Sequence, residues 1–457
     1  MSFIKLKLIC LAILFSFFTS HAQEKQKLNI NDLLKFALQN NYDLKKAHFN
    51  KVKSEFSIKE TRANGLPKVE GDIEYKDYLK LATIILPGAL AGTDQDIIAQ
   101  FGKKYNLDAS LQVSQLLFSL KYINGLKTTK KLAEIRALEV EKAESELYQL
   151  LHTEYYNLLA IYKNLKIIES NMESLKLTRQ KIAAMVKGGL TLQTDLDKID
   201  INYANLEANK EQIRSGITIQ TNNLKYIIGM QPDVKLEIDT AGFKNLFRED
   251  LFLDKYASSQ FDPDNLIDIQ ILNRNVELND YQIKSAKAEL TPTISLFGSY
   301  MYQAQRNKFN FFDANKDWFK VNVVGVKATI PIFSGFGNKA KISSAKIDKE
   351  ITLNNKRKAT EGFNVQYQNS LMAYQSNIKT CLIQVKNVAL AERVKKQENL
   401  KYEQGISSLT DFLISIADYR NARINYVQNF IAMKKSEIDL LKTQGLLRTS
   451  IDQSLQD

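Results

Sequence analysis

The chain writes one helix–glycine–helix corner twice, and this duplication constrains the fold more than any other feature. The run "MVKGGLTLQTDLDKIDINYANL" is answered 216 positions later by "KYEQGISSLTDFLISIADYRNA". Gly189 falls on Gly405, Thr191 on Ser407, Asp195 on Asp411, Tyr203 on Tyr419 and Asn205 on Asn421. The likeness extends outward: "IKETRANGLPKV" (58–69) matches "IKSAKAELTPTI" (283–294), and "SQLLFS" (114–119) matches "TIPIFS" (329–334). From Phe118 to Gly189 is 71 residues, and from Phe333 to Gly405 is 72. Order and spacing repeat together, which marks an internal duplication.

Each half opens with strand patterning. In "KVEGDIEYK", Val69, Gly71, Ile73 and Tyr75 alternate with Lys68, Glu70, Asp72, Glu74 and Lys76. "YNLDASLQVSQ" alternates as cleanly, and a period of two puts each set on one face of a strand. "TISLFGSYMY" and "KVNVVGVKATI" are the counterparts in the second half, with weaker alternation. Apolar-out, charged-in strands of about ten residues suit a transmembrane barrel. Phe311, Phe312, Trp318 and Phe319, beside the turn "DANKD", are expected to form an interfacial aromatic belt.

The period then lengthens. Leu147, Leu151, Tyr155, Leu158, Tyr162, Leu165, Ile168, Met172 and Leu175 recur at three-to-four spacing, one apolar stripe on a long helix. Proline is missing from 88–231 and 332–457, as long helices require. About 64 residues of helix would reach on the order of 96 Å before the glycine corner. Gly188, Gly189 and Gly405 stand where a helix ends in a left-handed residue. Thr191 and Thr194, like Ser407 and Ser408, are placed to cap the helix that follows.

The expected organisation is a signal peptide at 1–22, a first repeat at 23–230, a lateral segment at 231–264, a second repeat at 265–448 and a tail at 449–457. The first repeat holds a strand hairpin at 67–118 and a helical hairpin at 120–229; the second holds them at 292–333 and 337–448. Lys5 and Lys7 followed by "LICLAILFSFF" and "SHA" read as a cleavable secretory signal. After cleavage Cys381 is the single cysteine, so packing rather than disulfides must stabilise the exported chain. The net charge of +12 is spread among Lys–Glu helix faces such as "KKLAEIRALEVEKAESE", a solvated pattern rather than a nucleic-acid stripe.

Four strands cannot seal themselves in lipid, where every backbone N–H and C=O needs a partner. Transmembrane barrels start at about eight strands, so copies must combine, and this reasoning leaves two, three or four open.

The signal peptide, the duplicated plan, "TIPIFSGFG" at the second strand–helix junction and "YEQGISSLTDFL" at the second tip together resemble the TolC-like outer membrane efflux protein family. The resemblance covers about residues 28–448. It implies an α+β membrane protein, a homotrimer whose four strands per chain make one twelve-stranded barrel, continued by an antiparallel α-helical periplasmic tunnel. It implies an exit duct for efflux or type I secretion, in contact with outer-membrane lipid. A periplasmic adaptor would dock on the tips at Gly188, Gly189, Leu190, Thr191, Gly405, Ile406 and Ser407, linking them to an inner-membrane pump. It makes Asp195, Tyr402 and Asp411 candidates for the lumen or gate. The first junction departs from the pattern, with Leu116 where the second repeat has Pro331. The first hairpin is also longer, 51 residues from Pro67 to Phe118 against 41 from Pro292 to Phe333. Ile414 stands where a second gate acid can occur. A periplasmic adaptor and a coiled-coil scaffold are the rival readings.

No cofactor, metal site or nucleic-acid partner is expected. His21, His48 and His152 lie near no zinc pattern. "DLDKIDINYANLE" lacks the sixth-position glycine and twelfth-position glutamate of a calcium loop. No phosphate loop or nucleophile elbow is present, which argues against an enzyme.

Overall fold

The computed structural model describes residues 27–87, 92, 97–239, 261–447 and 449. The signal peptide expected at 1–22, much of the lateral segment and most of the tail lie outside the described residues. In chain order the first half carries β1 (Lys27–Leu28), α1 (Ile30–Asn40), α2 (Tyr42–Ala63), β2 (Lys68–Asp77), β3 (Thr83–Leu86), β4 (Ile97–Gln100), β5 (Tyr105–Phe118), α3 (Leu120–Lys187) and α4 (Gln193–Ile228). Then come β6 (Glu237–Ile238), α5 (Ile267–Ala288), β7 (Thr293–Arg306), β8 (Phe319–Thr329), α6 (Gly337–Glu403) and α7 (Leu409–Thr443). The chain forms two compact units, one of residues 48–140 and 268–359, the other of residues up to 47, 141–267 and 360 onward.

The first unit holds a four-stranded antiparallel sheet in the order β2-β5-β7-β8. Its register places Ile73 beside Ala109, Ala109 beside Tyr302 and Tyr302 beside Lys320. The apolar residues of β2 and β5 therefore share one face, while Lys76 bridges Glu74 at 2.6 Å and Asp108 at 3.7 Å on the other. Among the described residues no second layer covers the apolar face: Ile73 and Val324 are each 81% exposed. β8 is apolar on both faces, with Val321 and Val323 opposite Met301 and Ser299, which is why its alternation looks weak in the sequence.

The ten-residue excess of the first hairpin falls near "LATIILPGALAGTDQDIIAQFG", and there β3 and β4 pair as a separate two-stranded ladder, Thr83 with Gln100 through Leu86 with Ile97. The branched side chains on either side of the turn explain the pairing. Residues 88–91 and 93–96 lie outside the described set.

Helices in this unit are tied by polar links. Lys131 of α3 meets Glu277 of α5 at 2.9 Å, and Asn279 of α5 donates to Thr352 of α6 at 2.6 Å. The other unit has the apolar core. Ile167 of α3, Tyr374, Ile378 and Cys381 of α6 and Tyr426, Val427 and Phe430 of α7 form one cluster. Ile168, Met172, Leu175 and Ile182 of α3 pack with Ile199 and Leu206 of α4 and Leu409, Phe412 and Ile416 of α7 in another. The predicted stripe on α3 supplies Ile168, Met172 and Leu175 to the second cluster, whereas the first takes Ile167, one position off the stripe. β1 pairs in parallel with β6, Lys27 beside Glu237 and Leu28 beside Ile238, a contact with no local signal in the sequence.

Candidate functional site

The two corners are the same motif. At the first, Leu190 N–H donates to Met185 O at 2.9 Å and Gly189 N–H to Val186 O at 3.0 Å; at the second, Ile406 N–H donates to Lys401 O at 2.8 Å and Gly405 N–H to Tyr402 O at 3.0 Å. This is the Schellman pattern, which needs a left-handed residue after the helix. Gly189 and Gly405 both have φ of 70°. An added Cβ would meet nothing within 4 Å at either, so conformation rather than space selects glycine.

The helices leaving the corners start differently. At the second tip Ser408 is the N-cap: its Oγ accepts from Asp411 N–H at 3.1 Å, and its hydroxyl donates to Asp411 Oδ2 at 2.7 Å. At the first tip Leu192 sits at the N-cap with no side-chain hydrogen bond. Thr191 and Thr194 do not cap α4, contrary to expectation. Thr191 lies one residue before the cap and donates instead to Asp195 Oδ2 at 2.9 Å.

Each tip presents aliphatic residues to solvent. Leu190 is 76% and Ile406 72% exposed, and Leu192 is exposed beside them. Gly188 is exposed and Thr191 half-buried. Ser407 is held back, donating to Glu398 Oε2 at 2.8 Å. Lys401 on Glu398 (2.7 Å), then Ser407, draws that carboxyl below its usual range, while the charge of Asp411 opposes them. Glu398 belongs to the tip but carries no motif that would have revealed it.

The three lumen or gate candidates lie close together. Tyr402 stacks on Phe412, and its phenol is pushed up by burial first and then by Asp195. Asp195 is half-buried and receives Lys198 at 3.4 Å; Asp411 is exposed. Ile414, one turn after Asp411 where a second acid could stand, is exposed.

The four belt candidates do not share one environment. Phe312 is 90% and Phe319 58% exposed, and Trp318 is half-buried. Phe311 is buried edge-on against Tyr75 (6.1 Å) and Phe309 (5.5 Å), so it packs the β7–β8 loop onto the sheet. Among the described residues no cluster of His, Cys, Asp and Glu could hold a metal ion. No described helix is long and apolar enough to cross a membrane.

Residues 265–446, from α5 through α7, match the family model described as Outer membrane efflux protein. The second repeat is similar to the outer membrane efflux protein domain. Nodulation protein T of Rhizobium leguminosarum bv. trifolii is 24% identical over 247 residues, 54% of this chain and 50% of that protein. The match thus spans half the length of that curated relative. The efflux-protein fold extends beyond the second repeat. The Campylobacter jejuni CmeC outer membrane channel superposes with a TM-score of 0.71 at 16% identity, covering 93% of this chain and 89% of that one. The outer membrane protein VceC of Vibrio cholerae gives 0.69 at 15% identity, covering 91% and 96%. Both halves therefore have the outer-membrane channel fold.

Proposed function

We propose that three copies of this chain assemble an exit duct in the outer membrane, a passive channel for efflux or type I secretion that performs no reaction of its own. The unpaired edges of β2 and β8 on an apolar-faced sheet carry this reading. In lipid each unsatisfied backbone group costs several kcal/mol, so β8 of one copy must pair with β2 of the next. The tips at Leu190 and Ile406 are the docking points for a periplasmic adaptor, which couples the duct to an inner-membrane pump. Asp195, Tyr402 and Asp411 line or gate the narrow end. An adaptor carries one helical hairpin, whereas this chain carries two, together with the four-stranded sheet.

β2 and β8 are three strand spacings apart within one chain, about 14 Å, too far for a disulfide. Cysteines introduced along β2 near Lys68 and along β8 near Thr329 therefore cross-link only between copies. Oxidation in membranes should yield covalent trimers on a denaturing gel for at least one pair. A chain that stays monomeric in detergent and passes no current across a planar bilayer overturns the duct.

A further inference from the structure

The duplication allows each tip to be compared with the other, and one pair of positions has diverged in charge. Arg179 of α3 and Lys395 of α6 each stand ten residues before their glycine. Arg179 has a carboxylate in the same chain: Asp200 of α4 accepts from Nε and, at 3.2 Å, from Nη2. The guanidinium holds the Asp200 carboxyl below its usual range.

In the second hairpin Ile416 occupies the place of Asp200, and Arg423 that of Glu207. Ile416 turns into the core, 7% exposed. Lys395 lies instead with Nζ 5.0 Å from the ring centre of Tyr419, and the Arg423 guanidinium lies 5.4 Å from the same ring. Among the described residues neither cation forms a salt bridge, and Glu392, near Lys395 on its own helix, is engaged by Lys396 at 3.0 Å. Burial first, and Arg423 second, hold the Lys395 ammonium below its ordinary value; Lys163 of α3 is lowered by the same two causes. Cations that disfavour one another's charged form are stabilised when an anion arrives. An arginine held by its charge over a ring face still has guanidinium N–H donors with which to grip a carboxylate.

We propose that Lys395 and Arg423, seated on Tyr419, receive a carboxylate side chain from the helical hairpin of the periplasmic adaptor, making the second tip a charge-reading dock and leaving the first without one. The inference rests on the exit-duct reading. The first hairpin identifies the missing group, because it meets the equivalent cation with an aspartate of its own. The site lies about 15 Å along α6 from Gly405, continuous with the exposed tip.

The test uses the full chain with its adaptor and pump in cells lacking the native copies. Lys395→Glu/Arg423→Glu should lower efflux at least tenfold while trimer yield and single-channel conductance stay unchanged. Arg179→Gln, altering the self-satisfied counterpart, should leave efflux within twofold. One acid-to-lysine change among the acids of the adaptor hairpin should restore efflux to the reversed chain. Lys395→Gln/Arg423→Gln provides a milder pair should charge reversal disturb folding, with a smaller loss in the same direction. Altered conductance or ion selectivity with normal adaptor binding overturns the proposal in favour of a pore-lining role. Full efflux in both double variants, or no restoring adaptor change, overturns it as well. Absence of trimer and current in the unaltered chain is a separate result, which removes the duct itself.

Discussion

Tyr402 lies flat on Phe412, ring centres 5.4 Å apart and planes 5° from parallel, joining the end of α6 to the start of α7. Phe412 is 4% exposed within the core that α3, α4 and α7 share, so the stack anchors the corner to the bundle. Phe412→Ala should cost about 3 kcal/mol through the cavity it leaves. Tyr402→Phe keeps the ring and should cost little. Hydrogen exchange of the Gly405–Asp411 amides measures the difference; equal protection in both variants would show that the stack does not hold the corner.

Because Gly189 and Gly405 are left-handed with open space around them, Gly189→Ala and Gly405→Ala should each cost roughly 1–2 kcal/mol from backbone strain alone. The missing cap offers the opposite change. Leu192→Ser supplies the acceptor that Ser408 provides at the second tip and should gain about 1 kcal/mol. Thermal unfolding in detergent reads both signs.

His152 supplies a pH dependence. Burial holds its imidazole down at about 4, against 6.5 when free. Between those values the unfolded chain binds a proton that the folded chain does not. Stability is therefore complete above pH 6.5 and falls as pH drops towards 4, by about 3 kcal/mol for this group. His152→Phe should flatten the slope of unfolding free energy between pH 7 and 4.5. An unchanged slope would assign the loss to other groups.

Leu190→Asp together with Ile406→Asp replaces the two exposed tip aliphatics with charge. Efflux should be abolished while the trimer still assembles, since neither side chain is packed in the core. Loss of the trimer would make these residues structural and remove the docking role.

Asp411 faces solvent beside its cap, and in a trimer three such charges would meet around one axis. Asp411→Ala should change conductance or cation block more than stability, where the loss of a helix-start charge amounts to about 0.3–1 kcal/mol. Planar-bilayer recordings decide, and an unaltered single-channel record would end the gating role.

Much of the architecture is legible in the chain because its signals are local and repeated. The alternation of Val69, Gly71, Ile73 and Tyr75 sets strand faces, and the stripe from Leu147 to Leu175 sets the buried side of α3. The glycine corners mark both helix ends, since left-handed backbone is expensive for other residues. The β3–β4 ladder is less legible, because a short branched run between turn residues suits loop and strand alike.

What the sequence alone determined is therefore the duplicated order of strand, strand, helix and helix, which follows from side-chain periodicity and turn chemistry within each segment. Tertiary structure decided the rest: that Ser407 is held by Glu398 while Leu190 stands free, that Asp200 completes Arg179 while Ile416 leaves Lys395 on a tyrosine, and that β1 finds β6 some 200 residues away. Those outcomes depend on which distant side chains packing brings within a few ångströms, and no local period encodes that choice.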